Sequence, residues 1–205
     1  MERAPEVDFG VLRAHLSARV AKELAWPRLK RRAATAVVLR PGGQGPEVLL
    51  MRRVARMGDR WSGDISCPGG FQHEGESLLR TAMRETEEEV GVELDDSCLL
   101  GALRIRPVAP WNRLADFSVT PFVFVSPDPE QALVPEPKEV QSARWLPMSA
   151  IRDPARRTAF WWWWTFAKPL AVPFRVHRVV HEDYDVWGLT LRVLDELGAE
   201  LESCR

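Results

Sequence analysis

The stretch from Gly70 to Val92 constrains this chain more tightly than any other, because its charges work against its own secondary structure. Leu79, Ala82, Met83, Thr86 and Val90 recur at helical spacing and Gly91 supplies a stop, which predicts a helix from about Glu76 to Val90. At about 100° per residue, Glu85, Glu88 and Glu89 fall within roughly one third of the circumference, apart from the apolar sector, and Glu87 points away. Glu85 and Glu89 are like charges at i,i+4, which costs roughly a few tenths of a kcal/mol, and they occupy the last turns, where the helix dipole disfavours anions. Arg84 offsets part of this through Glu88, yet one cation cannot neutralise three carboxylates. A bound divalent ion can: hard Mg²⁺ takes oxygen ligands and bridges carboxylates to substrate phosphates. Just upstream, Pro68-Gly69-Gly70 lets the backbone approach a ligand closely. The plain alternative is a solvated acidic helix end, and the upstream glycines and the spacing argue against it.

Composition narrows the remaining possibilities. With 205 residues, 45% hydrophobic and 28% charged, the chain has the profile of a globular protein of ordinary size. A formal charge of −1 provides no global basic field, so nucleic acid is not expected as a partner. Cys67, Cys98 and Cys204 lie far apart and form no CxxC pair, which indicates neither zinc nor a disulfide framework and suits a reduced, cytoplasmic compartment. The N-terminus has no apolar run of the signal-peptide kind, and the apolar stretch Ala159–Val172 is too short for an integral membrane segment.

Along the chain, residues 9–25 read as an amphipathic helix closed by Pro27, followed by a basic run (Arg28, Lys30, Arg31, Arg32) taken as a solvated connection. Residues 1–32 therefore read as an N-terminal helix and connection, and 33–205 as the main domain. Strands are expected at 33–40 and 47–52, around a Pro41–Gly45 turn, and at 99–106, 117–125 and 142–146. Pro127–Pro137 should be a surface loop. A short helix near 148–153, an aromatic stretch, a strand near 175–180 and a C-terminal helix over 187–201 complete the chain. A small mixed sheet flanked by helices makes this an α/β (α+β) sandwich.

Gly70, five residues, Glu76, seven residues, Arg84-Glu85, two residues, Glu88-Glu89, one residue, Gly91-Val92 resembles the Nudix box, G-x5-E-x7-R-E-U-x-E-E-x-G-U, with Thr86 at a position that is usually bulky and apolar. The resemblance implies an α/β/α sandwich and a diphosphatase acting on phosphoanhydride bonds of small nucleoside diphosphate derivatives with Mg²⁺ or Mn²⁺. It further implies that Glu85 and Glu89 are the principal metal ligands, with the carbonyl of Gly70 as an additional one. Glu88 would be a further ligand or the group that deprotonates water. Glu76 and Arg84 would orient the loop and helix. Glu139 lies where some members carry another carboxylate; an exposed glutamate beside a proline-rich loop is its plainer reading.

Two further segments resemble the coenzyme A diphosphatase branch of that family. Leu49-Leu50-Met51-Arg52-Arg53 with Gly63 to Gly70 is similar to LLTxR…GxxxFPGG, although Met51 and Cys67 depart from it, and Val186-Trp187-Gly188-Leu189-Thr190 is similar to IWGLT. Coenzyme A or its thioesters are then the implied substrates. ADP-ribose, NADH, dinucleoside polyphosphates and nucleoside triphosphates stay open, as does a non-catalytic nucleotide-binding domain. Arg53, Arg56 and Arg60, with the backbone of Gly69, are candidate substrate contacts, against the reading of an exposed basic loop. The run Trp161–Trp164 reads as core plus interface, the latter a homodimer or membrane-surface patch, in preference to an aromatic wall for a ligand.

Overall fold

In the computed structural model, residues 7–23, 31–59, 61–108, 117–167 and 170–204 are described. The centre is two strands that run parallel side by side: β1 (Arg31–Arg40) and β7 (Phe117–Val125), in register from Arg31↔Phe117 to Leu39↔Val125. Every residue of β7 but the last is buried, as a parallel strand covered on both faces requires. Around this pair, β2 (Glu47–Arg53), β3 (Ile65–Ser66), β4 (Gly69–Phe71), β5 (Leu99–Ala102), β6 (Arg106–Val108) and β8 (Val140–Pro147) add antiparallel partners to give an eight-stranded mixed sheet.

Alternation along the strands feeds two cores. On one face Ala34, Ala36 and Val38 of β1 and Phe122 and Phe124 of β7 pack with Leu78, Ala82, Met83 and Val90 of helix α2 (Leu78–Val90). On the other, Val37, Leu39 and Val123 pack with Leu12 and Leu16 of α1 (Phe9–Glu23) and with Leu191, Leu194 and Leu197 of α4 (Gly188–Ser203). A short helix, α3 (Met148–Arg152), follows β8. The result is the α/β/α sandwich, with the sheet larger than expected. No helix among the described residues is long and apolar enough to cross a membrane.

Several expectations needed revision. The strand at 99–106 is interrupted: β5 and β6 pair separately with β7, and Leu103 between them donates its N–H to the Pro121 carbonyl at 2.9 Å. The aromatic stretch is β9 (Arg157–Ala167), paired antiparallel with a long β10 (Leu170–His181), and β11 (Tyr184–Trp187) completes a second, three-stranded sheet. Trp161 is 65% exposed and Trp162 41%, so neither belongs to the core; Trp162 stacks on Trp187 at 5.4 Å between centroids.

Candidate active site

The site is built where the glycine turn meets α2. Pro68 is tied to β1 by its carbonyl, which accepts from Thr35 Oγ1 at 2.6 Å and from the Ala36 N–H at 2.9 Å. The chain then pairs as β4 along β1, Gly69 against Thr35 and Gly70 against Ala34. A Cβ on Gly69 would stand 2.4 Å from the Ala34 carbonyl oxygen, so only glycine permits this approach. One on Gly70 would stand 2.4 Å from the Glu85 carboxylate. The two glycines thus bring backbone directly onto the acidic face of α2.

That helix is capped at both ends. Ser77 Oγ accepts the Arg80 N–H at 3.2 Å, and Gly91, with φ of 73°, closes the last turn by donating to the Glu87 carbonyl. The segment 133–137 lies along its end, with Val134 and Glu136 donating to the carbonyls of Val90 and Glu89.

The three glutamates occupy three environments. Glu88 is solvent-facing, with 57% of its side chain exposed, Glu85 retains 14%, and Glu89 as a residue only 3%. Glu89 therefore faces inward beside the core sector, and its Oε2 accepts the Gly69 N–H at 2.8 Å. Burial pushes its carboxyl up to about 8; the Gly69 hydrogen bond opposes this, and the negative charges of Glu85 and Glu139 add to it. Burial also raises Glu85, against the pull of Arg84.

Arg84 binds the cluster together. It reaches Glu76 at 2.9 Å, Glu85 at 2.8 Å and Glu88 at 2.9 Å. Glu76 also accepts from Thr81 Oγ1 at 2.7 Å and from the His73 N–H, and the Arg84 hydrogen bond leads in holding its carboxyl down at about 2. This pair links the loop before α2 to its middle turns.

Glu85, Glu89, Gly69 and Gly70 line a cavity of about 450 Å³ together with Arg53 and Glu139. Glu139, weighed above as a plain surface glutamate, is thus brought to the two most buried carboxylates of the helix. Glu76, Arg84 and Glu88 are not part of this lining, and Arg84 ties the first and last of them to Glu85. Arg53 pairs with Asp59 at 3.2 Å. Arg56 is not part of the lining; its guanidinium donates to the Lys138 carbonyl. Arg60 lies outside the described residues. The remaining wall was not anticipated: Trp61, Phe71, Val108, Phe117, Val119 and Leu189 line it with aromatic and aliphatic groups. The strand register sets Val119 and Phe117 successively further along β1 from Thr35 and Gly69, which makes this the other end. Those residues come from five separate segments, so no local spacing announced them. Asp64, also in the wall, has its carboxyl raised by burial to about 6.

The residues present suit a hard divalent cation. Their donors are all oxygens, like-charged carboxylates converge on the cavity, and glycine leaves the space beside Glu85 that any side chain would fill. Among the described residues no three acidic, histidine or cysteine side chains are already gathered around one point. Arg84 instead engages oxygens of Glu85 and Glu88, so guanidinium and cation would compete for them.

Known proteins resemble this chain in sequence and in fold. The model of the NUDIX domain matches residues 29–162. The chain is 32% identical over 184 residues to the mitochondrial coenzyme A diphosphatase NUDT8 of Homo sapiens, covering 86% of this chain and 73% of that protein. It is 37% identical over 117 residues to an uncharacterised protein of Schizosaccharomyces pombe, covering 55% of this chain but only 35% of that protein's length. Among solved structures, a MutT/nudix family protein from Enterococcus faecalis superposes with a TM-score of 0.55 at 16% identity, over 95% of this chain and 72% of that one.

Proposed function

The chain belongs to the Nudix family, and from that premise we propose that it hydrolyses the diphosphate linkage of coenzyme A or an acyl-coenzyme A, releasing phosphopantetheine and adenosine 3′,5′-bisphosphate. The observation that carries this reading is the two-ended cavity: Glu85, Glu89 and Glu139 at one end, and the aromatic and aliphatic wall at the other. The first end suits a diphosphate accompanied by divalent metal. The second suits the flat or apolar groups of a large substrate. The likeness to human NUDT8 over most of both chains supports the substrate class.

Mg²⁺ or Mn²⁺, when bound, neutralises the diphosphate and lowers the pKa of a water. Glu85 and Glu89 would hold it, with the Gly70 carbonyl as a further oxygen donor. Glu89 is pre-positioned for this by its hydrogen bond from Gly69. Glu139, facing the same space, is one candidate to take the proton from the attacking water; Glu88 is the other, on release from Arg84. Glu76 and Arg84 position Glu85 and the glycine turn and act only through them. Arg53, on the cavity wall, is placed to donate to a phosphate oxygen.

The test is product analysis with Mg²⁺ or Mn²⁺ on coenzyme A, acetyl-coenzyme A, ADP-ribose, NADH, diadenosine tetraphosphate and ATP. Phosphopantetheine and adenosine 3′,5′-bisphosphate should appear from the coenzyme A substrates. Turnover of ADP-ribose alone would overturn the substrate and leave the reaction class standing.

A further inference from the structure

We infer that Arg31, with the aromatic rings beside it, forms a subsite for a phosphomonoester carried on the nucleoside half of the substrate. This rests on the substrate class proposed above and names what the end of the cavity remote from the carboxylates recognises.

The register of the central strands places Arg31. Side chains on a strand alternate between faces, so Arg31, Ala33 and Thr35 share one face of β1, beside Phe117, Val119 and Pro121 of β7. Ala33, Thr35, Phe117 and Val119 all line the cavity. Arg31 is the next member of that row, exposed just beyond the rim. Four residue steps along the strand take the backbone from Arg31 to Thr35, about 13 Å. Thr35 is paired with Gly69, so this is also the scale of the distance from the carboxylate end.

Its surroundings suit an anion. The guanidinium carbon lies 4.1 Å from the centroid of the Phe71 ring, and that ring meets Phe117 edge-on at 5.1 Å, as Trp61 meets Phe117 at 6.0 Å. Stacking uses the face of the guanidinium and leaves its in-plane N–H donors open, in the fork that matches phosphate oxygens. Arg40, Arg52, Arg53 and Arg84 are all engaged with carboxylates. The Arg31 guanidinium has no ion pair or hydrogen bond among the described residues. The cavity is therefore bipolar. Carboxylates at one end suit a diphosphate that arrives with metal, and beyond the other end a cation unpaired among the described residues suits a phosphate that arrives without one. The aromatic rings between them offer a surface for a nucleobase.

Calorimetric titration with adenosine 3′,5′-bisphosphate and with 5′-AMP, without metal, tests the subsite independently of turnover. The wild-type chain should bind the bisphosphate about tenfold or more tightly than AMP, the scale of one or two charge-assisted hydrogen bonds. Arg31→Gln should abolish that preference, Arg31→Lys should retain part of it, and Arg32→Gln, on the opposite face of β1, should preserve it. Equal binding of the two ligands by the wild type would overturn the inference, as would equal loss in the Arg31 and Arg32 variants. An Arg31-dependent preference in a protein that leaves coenzyme A intact would uphold the subsite and sink the proposed substrate. Cleavage of coenzyme A with no preference would do the reverse.

Discussion

Glu89 is the residue on which opposing forces meet most directly. It is held at the cavity by one backbone hydrogen bond and driven toward neutrality by burial. Its carboxyl is raised from the ordinary 4.5 to about 8, so the folded chain binds that proton more tightly than the unfolded chain does. The stabilisation is complete below pH 4.5 and is lost as pH rises through 8. In chelator, the melting temperature of the wild type should therefore fall between those limits, and Glu89→Gln should flatten the decline; parallel curves for the two proteins would refute this. Glu76 has the opposite sign. Its carboxyl is depressed to about 2, so its contribution is present above 4.5 and lost as pH falls toward 2. Glu76→Gln weakens a largely buried charged pair with Arg84 and should cost about 1–2 kcal/mol at neutral pH, measured by urea unfolding. The different fates of Glu85, Glu88 and Glu89 were not legible in the helical wheel. Angular position placed all three on one sector, whereas burial was decided by Gly69 and Gly70 arriving from another strand.

At the level of elements, α2 was the most legible, since its apolar spacing, its box of charged residues and the Gly91 stop agree. β7 was read with its observed ends, because a run of buried apolar residues has few other uses. β4 was missed: a three-residue strand of two glycines and a phenylalanine carries no alternation to read. Yet β4 shapes the site, and its two glycines should fail differently. Gly69→Ala drives a methyl against β1 backbone, at 2.4 Å from the Ala34 carbonyl oxygen, and should lower the melting temperature by several degrees. Gly70→Ala meets only the far end of the Glu85 side chain. It should leave folding nearly intact and cut turnover by about tenfold or more, by displacing the Glu85 carboxylate, the proposed metal ligand. Circular dichroism and steady-state kinetics on the two variants separate these outcomes, and equal loss of fold in both would contradict them.

For the molecule as a whole, the sandwich follows from two apolar faces of one sheet, each demanding a helical cover. α1 and α4 share one core cluster, so Leu16→Ala and Leu194→Ala, both at fully buried positions, should each cost about 2–5 kcal/mol and shift a single unfolding transition. Two separate transitions would mean that α1 folds apart from the rest. The β9–β11 sheet was largely hidden in the sequence, because consecutive tryptophans give no alternation by which to recognise a strand. The cavity wall was equally hidden, being assembled from residues far apart in the chain. The glutamate pattern leads us to propose a bound cation, and that is the claim on which the proposed chemistry stands. Titration of Mn²⁺ into the wild type and into Glu85→Gln and Glu89→Gln, followed by electron paramagnetic resonance, tests it most directly. The wild type should bind the ion and each variant should lose about tenfold or more in affinity; equal binding by all three would contradict the account.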